Sequence, residues 1–165
     1  MSTDCSICGF IVERGNPDEV VLAELRRKND QALQSLPQPD TRTALSRDMF
    51  SVASDPAVLG GFSTSRLIHF AGLYRGLEYG FSEWLDKFEK LLSNLDWWEA
   101  RVIMDAEYGG HMQIDYNRSN PADRPFNMTT ARIRLEKYGE DALIDLLGKS
   151  RFETAKFIYS FIEDL

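Results

Sequence analysis

Residues 66–117 change their hydrophobic period twice, and this constrains the fold more than any other part of the chain. Residues 67–74 are apolar at nearly every position, which is typical of a strand covered on both faces. Residues 81–95 carry apolar side chains at helical spacing, and two alternating runs joined by two glycines follow. A strand, a helix and a β-hairpin in this order predict an α+β fold.

The helix predicted at 81–95 has one continuous apolar stripe. Its members recur three or four residues apart, and they are Phe81, Trp84, Leu85, Phe88, Leu91, Leu92 and Leu95. Such a stripe indicates core packing more strongly than a ligand groove. On the outer side, Glu83 with Lys87 and Asp86 with Lys90 have the spacing of helical ion pairs.

Three more helices are predicted, near residues 17–36, 140–147 and 151–163. The first has Asn16 as its N-cap and Pro17 at its first position, and Pro37 ends it. Its expected core positions are Val21, Leu22, Leu25, Ala32, Leu33 and Leu36. Residues 129–138 fit either a helix or a strand, and residues 45–52 fit one short helix or strand.

The sheet is predicted to be small and mostly antiparallel, with strands near residues 67–74, 98–107 and 111–117. We expect one domain over residues 1–165, because this length is usual for a single domain. Residues 1–15 are expected to be mobile or to form an edge segment. His69, alone in an apolar run, is expected to be a hydrogen-bonded core histidine.

The two cysteines, Cys5 and Cys8, have the spacing of half a zinc-ribbon motif. The second half is missing, so two reduced thiols are expected, and no cofactor is assigned. The first residues have neither a basic nor an apolar signal region, and no apolar run is long enough to cross a bilayer. These features predict a cytoplasmic protein that does not enter membranes.

The chain carries a formal net charge of −7, with the acidic residues spread along its length. Nucleic-acid binding needs a basic stripe, which the sequence lacks. The charge instead favours a basic protein partner, and it leaves a homo-oligomer open.

The hairpin has two alternative registers. A two-residue turn at Gly109 and Gly110 would mix polar and apolar residues on both faces, whereas a three-residue loop at 108–110 separates them. We therefore predict the three-residue loop, with Glu107 facing His111 and Met104 facing Ile114. One face is then wholly apolar, and it should pack on the helix at 81–95.

The opposite face of the hairpin is the candidate site. It carries the acid-rich set that we expect to bind a partner, namely Asp105, Glu107, Tyr108, His111, Gln113 and Asp115. Trp97 and Trp98 are further candidate anchors, since aromatic residues dominate interface energies. A plain solvated sheet face is the simplest alternative interpretation.

In acidity, size and aromatic content, the chain resembles the bacterial immunity proteins, which neutralise toxins by direct binding. This resemblance rests on no motif and assigns a role to no residue. It implies a small protein-binding module, most concretely an immunity or antitoxin-like inhibitor, rather than an enzyme. The alternative is a small hydrolase or metal-dependent enzyme that uses His111 with Glu107, Asp105 or Asp115.

Overall fold

The computed structural model describes residues 4–37, 43–53, 65–106, 110–118, 130–133, 140–154 and 157–159. The strands are β1 (Asp4–Glu13), β2 (Phe50–Ala53), β3 (Leu67–Arg75), β4 (Trp97–Ala106), β5 (Gly110–Asn117), β6 (Thr130–Ile133) and β7 (Phe157–Tyr159). The helices are α1 (Glu19–Gln34), α2 (Phe81–Asn94), α3 (Glu140–Leu147) and α4 (Lys149–Thr154), with short 3-10 turns at Arg47–Met49 and Leu77–Tyr79.

The strands form one sheet in the order β2-β3-β1-β4-β5-β6-β7. Every neighbouring pair is antiparallel except β6 and β7, which run parallel. The α+β class and the mostly antiparallel sheet are therefore confirmed. The prediction of a mobile or edge segment at residues 1–15 was wrong for residues 4–13, because β1 pairs with β3 on one side and β4 on the other.

The α2 helix covers one face of the sheet. All seven residues of its predicted stripe are buried. The Phe88 ring lies 5.1 Å from the ring of Phe70 on β3 and 5.8 Å from that of Tyr116 on β5, so α2 spans the middle of the sheet. Among the described helices, none combines the length and the hydropathy that a bilayer crossing requires.

The α1 helix begins two residues later than the sequence predicted. Asp18 is its N-cap, and the Asp18 carboxylate accepts hydrogen bonds from the backbone N–H groups of Val20 and Val21. Asn16 instead accepts from the N–H of Asp18. Of the expected core positions, only Leu33 is buried, and Val21 is exposed.

A buried polar cluster holds the second half of α1 to the sheet. The Asn29 side chain donates to Glu13 and to the carbonyl of Asp96, and it accepts from the Asp96 N–H. Arg66 forms ion pairs with Glu13 and with Asp30. These groups come from four separate parts of the chain, so the cluster fixes where α1 lies.

The C-terminal helices confirm one prediction and correct another. The helix expected at 140–147 is present as α3, but the one expected at 151–163 ends at Thr154 and is followed by β7. Residues 130–133, for which helix and strand were both open, form β6.

Arg151 joins α4 to α2. Its guanidinium donates to Asp86 and to both oxygens of Glu89, and Glu89 also accepts from the Tyr116 hydroxyl. Burial of Tyr116, with the nearby charge of Glu89, raises the pKa of its phenol well above the ordinary value. The predicted pair of Glu83 with Lys87 is present at 2.9 Å. The pair predicted for Asp86 and Lys90 was wrong, because Asp86 bonds to Arg151.

Candidate binding surface

The sheet face turned away from α2 is the candidate binding surface, and we call it the open face. Strand alternation and register place the following side chains on it: Asp4, Ser6, Cys8, Phe10 and Val12; Leu67, His69, Ala71, Leu73 and Arg75; Glu99, Arg101, Ile103 and Asp105; His111, Gln113, Asp115 and Asn117. Most of the alternate residues of the same strands are buried against the helical side.

The hairpin register keeps the predicted faces but differs in its pairs. Met104 pairs with Met112 and Asp105 with His111, and the last observed pair is Ala106 with Gly110. The predicted pairing of Met104 with Ile114 was therefore wrong by two residues. A shift of two preserves which side each residue faces, so the separation into an apolar and a polar face is confirmed.

Asp115 does not contribute an available carboxylate to the open face. It is 9% exposed, and its Oδ1 lies 2.5 Å from Nε of Arg101, directly opposite on β4. The Gln113 amide donates to its other oxygen at 3.0 Å. The Arg101 guanidinium also lies 5.6 Å from the centre of the Phe10 ring. Asp115 is thus neutralised within the protein.

Asp105 and His111 form an exposed pair across β4 and β5. Ser6 of β1 pairs with Asp105 from the other side, so the order across three strands is Ser6, Asp105, His111. A nucleophile relay needs the imidazole between the hydroxyl and the carboxylate. Here the carboxylate occupies the middle position, which does not suit general-base activation of Ser6.

The centre of the open face is apolar. Ala71, Cys8 and Ile103 pair across β3, β1 and β4, and Ala71 and Cys8 are exposed. Leu73, two residues from Ala71 on β3, is 75% exposed. An apolar centre with charged groups around it is the usual arrangement of a protein interface.

The charges on the open face leave an acidic excess. On β1, β3, β4 and β5 it carries four carboxylates and two arginines, and two ion pairs form, Asp4 with Arg75 at 3.7 Å and Asp115 with Arg101. A third arginine, Arg132, pairs with Gln113 from β6. Asp105 and Glu99 on β4 form no ion pair within the described ranges. The side of the apolar centre that β4 lines is therefore negative.

The predicted site residues divide into three groups. Asp105, His111 and Gln113 lie together on the open face, Asp115 lies beside them but is neutralised, and Glu107 and Tyr108 fall outside the described residues. Of the candidate anchors, Trp97 is completely buried, and Trp98 is 37% exposed.

The sequence interpretation missed Glu99 and the contributions of β1 and β3 to this surface. Glu99 continues the alternation of Arg101 and Ile103, so one further step along β4 would have found it. His69 is exposed on β3, which contradicts the core role expected for it, because only one face of β3 is covered.

The two cysteines do not form a metal site together. Alternation along β1 buries Cys5 on the helical side and places Cys8 on the open face. Within the described residues, no group of three or more His, Cys, Asp and Glu side chains could hold a metal ion.

Comparisons with known proteins found no relative of this chain. No family model matches it, and no curated protein or solved structure is significantly similar to it.

Proposed function

We propose that this protein is a binding module that attaches to a basic protein partner through the open face of its sheet. The observation that carries the proposal is the exposed apolar centre beside Asp105 and Glu99, two carboxylates that form no ion pair with any of the described residues. Apolar contact would supply affinity, and the carboxylates would supply specificity and a faster association rate. An immunity-type inhibitor of a toxin is the most concrete form of this function.

Three features support binding over the alternative of a hydrolase centred on His111. Asp115, one of the carboxylates that such an enzyme would need, is neutralised by Arg101. The order Ser6, Asp105, His111 places the wrong group in the middle for a relay. Sheet faces of this open kind also differ from the concave sites in which small substrates are usually bound.

Charge reversal on the open face tests the proposal. The partner is first captured with the wild-type protein, beginning with the product of an adjacent gene, and is then purified and titrated directly. We expect Glu99→Lys with Asp105→Lys to weaken its binding by at least about tenfold and to reduce the salt dependence of association. The stability of the variant should be unchanged, because neither carboxylate forms an ion pair in the described structure.

The matched control is Glu24→Lys with Glu153→Lys, which makes the same change in net charge on the exposed sides of α1 and α4. This control should bind the partner like the wild-type protein. Equal binding by both double variants would exclude the open face as the docking surface.

A further inference from the structure

A cavity of about 470 Å³ lies in the helical layer, between the end of α1, residues 44–45 and the outer side of α2. This volume is within the range of about 300–1,000 Å³ that small-molecule sites occupy. Its lining includes the apolar side chains of Ala32, Leu36, Leu45 and Leu91 together with Lys87 and Lys90. The cavity is thus apolar with basic groups, in a chain that is acidic as a whole.

The two lysines differ in their partners. Lys87 Nζ lies 2.9 Å from Glu83 and donates to the hydroxyl and the carbonyl of Thr43. Its charge is therefore neutralised by Glu83, and its N–H groups are bound within the protein. Lys90 has no carboxylate partner within the described residues. The carboxylate one helical turn before it, Asp86, is bound by Arg151 instead.

We propose that this cavity binds a small amphipathic carboxylate, whose apolar body lies against Leu45 and Leu91 and whose carboxylate pairs with Lys90. The positive charge of Lys90 favours an anionic ligand, because the nearest carboxylate on its helix, that of Asp86, is bound to Arg151. The apolar lining selects a ligand with a hydrocarbon body. This site lies among the helices and is independent of the open face.

Titration calorimetry with three probes of equal chain length tests the ligand class. Dodecanoate, dodecanol and dodecyltrimethylammonium are each titrated into the full chain below their micelle-forming concentrations. We expect dodecanoate to bind at least about threefold more tightly than dodecanol, because one partly exposed ion pair contributes an affinity difference of this size. The cationic probe should bind most weakly. Dodecanol binding as tightly as dodecanoate, or no binding of dodecanoate, would overturn the proposal.

Two variants test the position of the site. Lys90→Glu should weaken dodecanoate binding by about tenfold or more, whereas Lys149→Glu, the same charge change on exposed α4, should leave it within about twofold. Ala32→Phe should also weaken binding, because the ring would fill the cavity. Urea unfolding of each variant separates a lost site from a lost fold, and equal binding by Lys90→Glu and Lys149→Glu would overturn the assignment.

Discussion

Arg66 and Glu13 form a two-point ion pair at the junction of α1 and the sheet. Nε of Arg66 lies 2.6 Å from one carboxylate oxygen of Glu13, and its second nitrogen lies 2.7 Å from the other. Both side chains are almost completely buried. The hydrogen bond to Glu13 is the main cause that raises the pKa of Arg66, so the guanidinium is charged in the folded protein.

Breaking this pair should destabilise the protein more than breaking any exposed pair. Arg66→Met leaves the Glu13 carboxylate buried without its counterion, which should cost about 3–5 kcal/mol in the free energy of unfolding. Urea denaturation measures the loss. The exposed pair of Arg27 with Glu24 gives the control, Arg27→Met, which should unfold at nearly the wild-type urea concentration.

The double variant Glu13→Leu with Arg66→Met gives a second check. It removes both charges, so it should be more stable than Arg66→Met alone. If Arg66→Met and Arg27→Met have the same unfolding midpoint, the buried cluster does not hold α1 in place.

The parts of the fold that follow from local pattern could be predicted from the sequence. The α2 stripe could be read directly, because its apolar residues recur at one spacing over four turns. The two faces of the hairpin could also be predicted, because its apolar residues recur at every second position. Its exact pairs could not, since shifts of two residues give the same faces and no other signal selects among them.

Long-range pairing explains what the sequence could not show. The segment that contains β1 was predicted to be mobile or to lie at an edge, yet β1 pairs with β3 on one side and β4 on the other. Asp86 has Lys90 one turn away on its own helix, but Arg151 bonds to it and to Glu89 from α4. The sequence located only the β4 and β5 part of the open face. Its β1 and β3 part depends on the pairing of β1 with β3 and β4.

Gly9 on β1 should be harder to replace than Gly72 on β3. A Cβ atom added at Gly9 would lie 1.9 Å from the backbone oxygen of Arg101 and 2.5 Å from the ring of Phe70. Because the strands must separate to admit it, we expect Gly9→Ala to cost about 3 kcal/mol in the free energy of unfolding. Urea denaturation of the purified variant checks this value.

Gly72→Ala on the neighbouring strand is the matched control. Its Cβ would meet the end of the Met49 side chain at 2.9 Å and the ring of Tyr74 at 2.9 Å. Side chains can shift where backbone cannot, so we expect a cost of about 1 kcal/mol. A larger loss from Gly72→Ala than from Gly9→Ala would contradict the close approach of β1 and β4.

Two phenols, one fully buried on Tyr116 and one partly buried on Tyr74, should make the protein sensitive to alkali. Burial raises the pKa of Tyr116 well above the ordinary value, and it raises the pKa of Tyr74 to about 12. In the unfolded chain both phenols ionise near pH 10, as free tyrosine does. Above that pH the unfolded state has released protons that the folded state retains, so the free energy of unfolding should fall as pH rises from about 10 to 12.

Phenylalanine variants test which phenols cause this loss. Each retained proton contributes at most about 1.4 kcal/mol per pH unit to the slope, so Tyr116→Phe and Tyr74→Phe should each make the decline between pH 10 and 12 shallower. Tyr79→Phe, which removes a phenol that is 86% exposed, is the matched control and should keep the wild-type slope. Urea denaturation at a series of pH values gives the slopes, and an unchanged slope in Tyr116→Phe would mean that its phenol ionises without unfolding the protein.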